Sequence, residues 1–95
     1  MVILIEELEI KAGKEESFMA SFASFRDIFL SLPGGLLTRL LRDQAAPASF
    51  SLLLQWETKD AQKLCESDDR FKVWFAQVLE ALAGKPRAHY FDEVL

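Results

Sequence analysis

Residues 51–60 read SLLLQWETKD, and this stretch decides the fold because its apolar residues do not alternate. A strand with one face in water alternates apolar and polar residues, since successive side chains point to opposite faces. Here Leu52, Leu53 and Leu54 supply apolar side chains to both faces. The stretch therefore predicts a strand over 49–57 that is covered on both sides.

Two helices are predicted after this strand. Thr58 is an N-cap candidate for a short helix, KDAQKLCE, and Ser67 is predicted to cap a longer helix that begins at Asp68 and Asp69. The longer helix carries an apolar stripe made of Phe71, Trp74, Phe75, Val78, Leu79 and Leu82. Gly84-Lys85-Pro86 ends it, and RAHYFDEV at 87–94 is predicted to be the last strand.

The residues before 49 supply a strand, a helix and another strand. VILIEELEI at 2–10 predicts a strand whose one face carries Leu4, Glu6, Leu8 and Ile10. The period then changes, which predicts a helix over 14–32 with an aromatic stripe of Phe18, Phe22, Phe25 and Phe29. Pro33-Gly34-Gly35 stops this helix, and a strand is predicted over 36–42.

The predicted order is β-α-β-β-α-α-β in a single domain over 1–95. Alternation of this kind predicts an α+β fold of the split β-α-β type, with one antiparallel sheet and its helices on a single face.

Composition excludes several classes of function. The chain is 51% hydrophobic, which is typical of a folded protein, and its net charge is −4 with 11 scattered basic residues. Nucleic acid and anionic membrane surfaces are therefore not expected as partners, because both need clustered Lys and Arg. The single cysteine, Cys65, cannot form an internal disulfide and is expected to be a small buried residue on the short helix. With no apolar leader, the chain is expected to be cytoplasmic, and no metal site is expected.

The face of the sheet away from the helices is also apolar. Ile3, Ile5, Leu37, Leu41, Leu53 and Tyr90 are predicted to lie there. An apolar patch of that size usually marks an interaction surface. The same sheet of a second copy would cover it face to face, so a homodimer through the sheet face is predicted.

Several motifs, taken in order, resemble the antibiotic biosynthesis monooxygenase (ABM) domains of the dimeric α/β-barrel superfamily. The resemblance runs from the first strand to the end of the chain. It is carried by the Gly13-x-Glu15-Glu16-x-Phe18 helix start, the Pro33-Gly34 turn, Trp56-Glu57-Thr58-Lys59-Asp60-Ala61, the Ser67-Asp68…Phe71…Trp74 helix and the Tyr90 strand. It implies a ferredoxin-like protomer, a dimeric α/β barrel, and one pocket per subunit between the sheet and the helices.

The same resemblance restricts the chemistry. Polyketide oxygenases of the family would have an Asn and a Tyr where this chain has Leu52 and Gln62. The haem-degrading branch would have Asn, Trp and an iron-binding His where this chain has Glu6, Cys65 and Phe75. Without an imidazole at 75 haem iron has no obvious ligand, and no cofactor is expected.

The predicted pocket is apolar and takes a small apolar or aromatic ligand. Its predicted lining is Phe22, Phe25, Leu52, Leu54, Trp56, Phe71, Trp74 and Phe75. Each of these aromatic residues could instead be plain core.

Glu6 is the predicted proton acceptor, because a carboxyl among apolar residues has a raised pKa. The alternative is that Glu6 is solvated or paired with Arg39 or Arg42. His89 is the second catalytic candidate, because histidine is the side chain whose ordinary pKa lies nearest neutrality. The alternative is that His89 has a structural role.

Two functions remain open at this point. One is a cofactor-independent monooxygenase that acts on a small quinol-like substrate, which an apolar pocket would bind as an anion able to reduce dioxygen. The other is a non-catalytic homodimer that binds a small molecule.

Overall fold

The computed structural model describes residues 1–95, which form four strands and three helices in the predicted order. The strands are β1 (Val2–Glu9), β2 (Gly35–Arg42), β3 (Ser49–Trp56) and β4 (Arg87–Asp92), and the helices are α1 (Glu15–Ser31), α2 (Lys59–Ser67) and α3 (Asp69–Ala81). The boundaries differ from the predicted ones by a residue or two, most at β4, which ends before Glu93 and Val94. No helix combines the length and apolar character that a bilayer span requires.

The four strands form one antiparallel sheet in the order β2-β3-β1-β4. Its register fixes which side chains share a face, because residues directly opposite one another in an antiparallel pair point the same way. Leu4 lies opposite Leu54 and Tyr90, and Glu6 lies opposite Leu52 and Ala88. In β1 and β3 alternate residues are buried, and these are the ones that face the helices.

The aromatic stripe of α1 fills the space between the helices and the sheet. Phe18, Phe22, Phe25 and Phe29 are all buried. Phe25 stacks on Trp74 of α3 with ring centroids 3.9 Å apart, and Phe29 meets Trp56 of β3 edge-on at 5.8 Å. Such aromatic pairs add about 0.5–1.5 kcal/mol to what area burial supplies. They join α1, α3 and β3 into one core.

The caps of the two later helices differ in one respect from the prediction. Thr58 caps α2 as predicted, with its Oγ1 accepting a hydrogen bond from the Ala61 backbone N–H at 3.1 Å. The cap of α3 is Asp68 and not Ser67, which is the last residue of α2. Asp68 is extended at φ −67° and ψ 133°, and its Oδ1 accepts from the Arg70 N–H at 2.8 Å. An N-cap residue has a non-helical backbone, and Asp68 is the one residue between α2 and α3 that does. Asp68 is therefore the cap.

The turn after α1 depends on Gly34. Its φ is +77°, which a glycine adopts at no steric cost, and a Cβ there would lie 2.5 Å from the Cβ of Ala61 on α2. The close approach lets the Glu57 N–H donate to the Gly34 carbonyl at 2.8 Å. The Pro33-Gly34 turn thus connects to the start of α2.

The face of the sheet away from the helices is called the open face below. Its apolar residues differ from the predicted set at one position, in β4. Ile3, Ile5, Leu37, Leu41 and Leu53 lie on it, but Tyr90 does not, because Tyr90 is opposite Leu4 on the helix side. Phe91 lies on the open face instead, opposite Ile3. The β4 sequence places one aromatic residue on each face, Tyr90 on one and Phe91 on the other, so it does not indicate which face is turned to the helices.

Candidate functional site

A cleft of about 280 Å³ lies between the helix side of the sheet and helices α2 and α3. Seven of its ten lining residues are hydrophobic, so its wall is that of a small-molecule site. The lining comprises Leu4, Glu6, Leu52, Leu54, Glu66, Phe71, Phe75, Pro86, Ala88 and Tyr90.

The cleft forms where the layer of helices ends. β4 is the edge strand beside β1, and its exposed residues show that the helices do not cover it. Phe71 and Phe75 of α3 stack with nearly parallel rings, 5.9 Å apart, and make the aromatic wall. Ala88 lies opposite Glu6 in the sheet, and its short side chain leaves space beside the carboxyl.

Glu6 is the buried polar group of this cleft. The residue is 5% exposed, forms no ion pair, and its Oε1 has no hydrogen-bond partner. Burial raises the pKa of the Glu6 carboxyl, and the negative charge of Glu66 raises it further. The strand alternation placed Glu6 on the helix side correctly, and neither Arg39 nor Arg42 pairs with it. A carboxyl in this setting is suited to accept a proton or to donate one.

Glu66 is the second carboxyl of the cleft and was not predicted. Tyr90 Oη donates to Glu66 Oε2 at 3.0 Å, and Gln62 Nε2 donates to Glu66 Oε1 at 3.2 Å. Burial, followed by the bond to Glu66, raises the pKa of Tyr90 to about 12. The spacing of Gln62 and Glu66 puts them on one side of a helix, but nothing in the sequence shows that this side meets β4.

Half of the predicted pocket lining is in the cleft. Leu52, Leu54, Phe71 and Phe75 line it, whereas Phe22, Phe25, Trp56 and Trp74 do not. These four are buried in the core. Phe25 and Trp74 also border a separate open groove of about 490 Å³ between α1 and α3. Trp56 is fully buried with its Nε1 unpartnered, so it is a core residue and not part of the pocket wall.

His89 is on the wrong face to act in this cleft. It lies opposite Ile5 on the open face, while Glu6 lies opposite Ala88 on the helix side. His89 Nε2 is 3.2 Å from Glu7 Oε2, and Arg87 Nη2 approaches the same oxygen at 3.3 Å. The prediction that His89 moves a proton in the pocket is therefore corrected, because successive residues of a strand point to opposite faces.

Cys65 is a buried structural residue, as expected. It is 1% exposed, and burial raises the pKa of its thiol to about 11. A thiol that stays protonated is a poor nucleophile and a poor metal ligand. No group of three or more His, Cys, Asp or Glu side chains is arranged to hold a metal ion.

The chain resembles a described family over most of its length. The family model described as "Antibiotic biosynthesis monooxygenase" matches residues 1–77. No match was found among curated proteins.

Solved structures share the fold closely. A Bordetella bronchiseptica protein provisionally assigned as an antibiotic biosynthesis monooxygenase is 28% identical, with a TM-score of 0.84 over 99% of this chain and 97% of that one. A Caulobacter crescentus protein with the same provisional assignment is 24% identical, with a TM-score of 0.92 over 99% and 90%. SnoaB, a cofactor-independent oxygenase from Streptomyces nogalater solved as a mutant, is 18% identical, with a TM-score of 0.87 over 97% and 91%.

Proposed function

The chain belongs to the antibiotic biosynthesis monooxygenase family, and from that premise we propose that it is a cofactor-independent monooxygenase of a small aromatic, quinol-like substrate. The observation that supports this is Glu6, a carboxyl with a raised pKa and an unpartnered oxygen in an apolar cleft. SnoaB, which shares the fold, is described as a cofactor-independent oxygenase.

The proposed reaction begins with removal of a hydroxyl proton from the quinol by Glu6. The substrate anion passes one electron to dioxygen, and the substrate radical and superoxide then combine into a peroxide at a ring carbon. Glu6 returns the proton to the peroxide. Loss of water breaks the O–O bond and the C–H bond at that carbon and leaves a new C=O. One atom of dioxygen enters the product and the other leaves as water, so the substrate supplies all four electrons.

The protein contributes a base and an apolar setting to this reaction. A base positioned for proton transfer adds about 10²–10⁴-fold to a rate. Apolar walls such as Leu52, Leu54 and Phe75 keep water from the anion and its radical, which limits side reactions.

Oxygen uptake with hydroquinones, naphthoquinols and anthrones tests the proposal. We expect consumption of dioxygen with at least one of them, and one ¹⁸O atom in the product when ¹⁸O₂ is supplied. Glu6→Gln should lower turnover by about 100-fold or more. Glu57→Gln, which changes an exposed carboxylate outside the cleft, should leave turnover unchanged. Equal rates for wild type and Glu6→Gln would contradict the role of Glu6.

A non-catalytic small-molecule-binding homodimer is the second candidate, and Leu52 favours it. Leu52 lines the cleft where the resemblance implies an Asn, so one polar group of the oxygenases is replaced by an apolar wall. Calorimetric binding of the same compounds without any oxygen uptake would support this function. Mass spectrometry of a ligand that stays bound through purification would identify the molecule.

We also propose that two copies pack through their open faces. The apolar side chains there are those of Ile3, Ile5, Leu37, Leu41, Leu53 and Phe91. Phe91 is 49% exposed and Leu41 is 53% exposed in the single chain. Sheet-to-sheet packing would remove this surface from water at about 25 cal/mol per Å² of apolar area.

A further inference from the structure

We propose that Glu66 makes the cleft selective for uncharged hydroxyaromatic ligands of one or two rings and makes it reject carboxylated ones. This inference rests on the proposed function only in that the cleft binds an aromatic ligand. It concerns which ligands enter, whether or not they react.

The charged groups of the cleft are all acidic. Glu6 and Glu66 line it, and no Lys, Arg or His does. On β4, Arg87 and His89 lie on the open face, where both contact Glu7 Oε2. Lys59 and Lys63 of α2 border a separate depression beside Tyr90 and do not line the cleft. A ligand carboxylate would therefore lie beside two carboxyl groups, with no cation in the lining to balance its charge. Charge repulsion in a partly buried site is screened less than it is between groups in open water.

Glu66 is held in position from two sides. Gln62 Nε2 donates to one of its oxygens and Tyr90 Oη donates to the other. The carboxylate therefore joins α2 to β4 and cannot turn away from the cleft without losing both bonds. A fixed charge discriminates between ligands better than a mobile one does.

The same hydrogen bonds determine what a ligand must offer. The proton of Tyr90 is committed to Glu66, so Tyr90 does not present a free donor to the cleft. The unpartnered polar atom is an acceptor, Glu6 Oε1. A hydroxyl on the ligand supplies the donor that this oxygen lacks, and leaving it unpaired would cost free energy.

The volume of the cleft limits the ligand to a small one. Its volume of about 280 Å³ lies just below the approximate range of 300–1,000 Å³ for small-molecule sites. Phe71 and Phe75, which line the cleft with nearly parallel rings, supply aromatic contacts for one or two fused rings.

A matched pair of ligands tests the selectivity without any turnover. 2-Naphthol and 6-hydroxy-2-naphthoate share the rings and the hydroxyl and differ by one carboxylate. In anaerobic calorimetry at neutral pH, we expect 2-naphthol to bind wild type at least about 10-fold more tightly than the acid does, as one repulsive contact would require. A naphthol that carries an aminomethyl group in place of the carboxylate should bind at least as tightly as 2-naphthol.

Variants show whether Glu66 is the cause. Glu66→Gln keeps an acceptor for Tyr90 but removes the charge, so it should reduce the gap between the two ligands by about 10-fold. Tyr90→Phe keeps the charge and should keep a preference for the neutral ligand, and Glu57→Gln is the control outside the cleft. Equal affinities in wild type, a gap that Glu66→Gln does not change, or no binding of any of the three ligands would overturn the inference. The absence of oxygen uptake would instead count against the monooxygenase proposal alone.

Discussion

Tyr90 and Glu66 join the edge strand β4 to helix α2 through one hydrogen bond of 3.0 Å, from the phenol to the carboxylate. Both residues line the cleft. The carboxylate is also the negative charge that faces Glu6. Glu66 therefore raises the pKa of both Glu6 and Tyr90 within one small site.

The chain's single tyrosine should titrate at an unusually high pH. Tyrosinate absorbance should rise with a midpoint at about 12 in the folded protein, because burial and the bond to Glu66 both favour the protonated phenol. The guanidinium-unfolded chain should titrate near 10, which is the ordinary pKa of tyrosine. Tyr90 therefore contributes stability that is complete below pH 10 and is lost as the pH rises through 12.

Glu66→Gln tests the cause of that shift. The variant removes the negative charge beside the phenol, so the midpoint should move part of the way back towards 10, while the burial of Tyr90 keeps the remainder. A midpoint near 10 in the folded wild type would show that neither the partial burial of the phenol nor its bond to Glu66 persists in solution.

Glu6→Gln should stabilise the protein, and the gain should grow with pH. The pKa of Glu6 is raised by folding, so the folded state holds its proton more tightly than the unfolded chain does. Wild type therefore loses stability relative to the variant as the pH rises from about 4.5 through the folded pKa. Urea unfolding from pH 4 to 8 measures the difference, and each unit of pKa shift should correspond to about 1.4 kcal/mol.

The exposed Glu57→Gln is the control for this comparison. It removes one negative charge from an exposed position. Comparing the two variants therefore distinguishes the effect of net charge on stability from the effect of burying the Glu6 carboxyl. A gain with the same size and pH dependence in both variants would contradict the assignment of a raised pKa to Glu6.

Much of the fold could be predicted because local periodicity determines it. The residues of β1 alternate between two faces, and either face could be turned to the helices. Leu4 and Leu8 share a face with Glu6 and are apolar, so the sequence is enough to place Glu6 on the helix side. The stripe from Phe18 to Phe29 likewise has one way to face a sheet. β4 offers no such contrast, because Tyr90 and Phe91 put an aromatic residue on each of its faces, and the sequence therefore predicts the wrong face for Tyr90.

The cleft was harder to predict because its position depends on where the helix layer stops. Trp56 and Phe75 are both aromatic residues on inward-facing positions, and spacing treats them alike. Trp56 is under α1, where Phe29 covers it, while Phe75 is at the uncovered side near β4. Whether an aromatic residue lines the cleft or is buried in the core depends on packing between elements that are distant in sequence.

Substitutions of three glycines should separate backbone strain from steric clash. Gly84→Ala meets no atom within 4 Å and should change the free energy of unfolding by less than about 0.5 kcal/mol. Gly13→Ala also meets none, but its φ of +86° should cost about 1–2 kcal/mol. Gly34→Ala combines a φ of +77° with a contact of 2.5 Å to Ala61 and should cost more than Gly13→Ala. Denaturant unfolding gives this order, and a Gly34→Ala variant as stable as Gly84→Ala would show that the turn packs differently in solution.

Leu41→Lys should weaken the proposed dimer, whereas Leu30→Lys should not. Both leucines are 53% exposed in the single chain, so the two substitutions add the same charge at equally exposed positions. Leu41 is on the open face, opposite Ser51, and Leu30 is on α1 on the other side of the molecule. A lysine at 41 would be held against apolar residues of a second sheet, and two copies would each bring one charge to the interface. In sedimentation velocity at micromolar concentration, we expect wild type and Leu30→Lys to run as dimers and Leu41→Lys to shift towards monomer. A monomeric wild type would contradict packing through the open face, and the apolar surface around Leu53 would then need another partner.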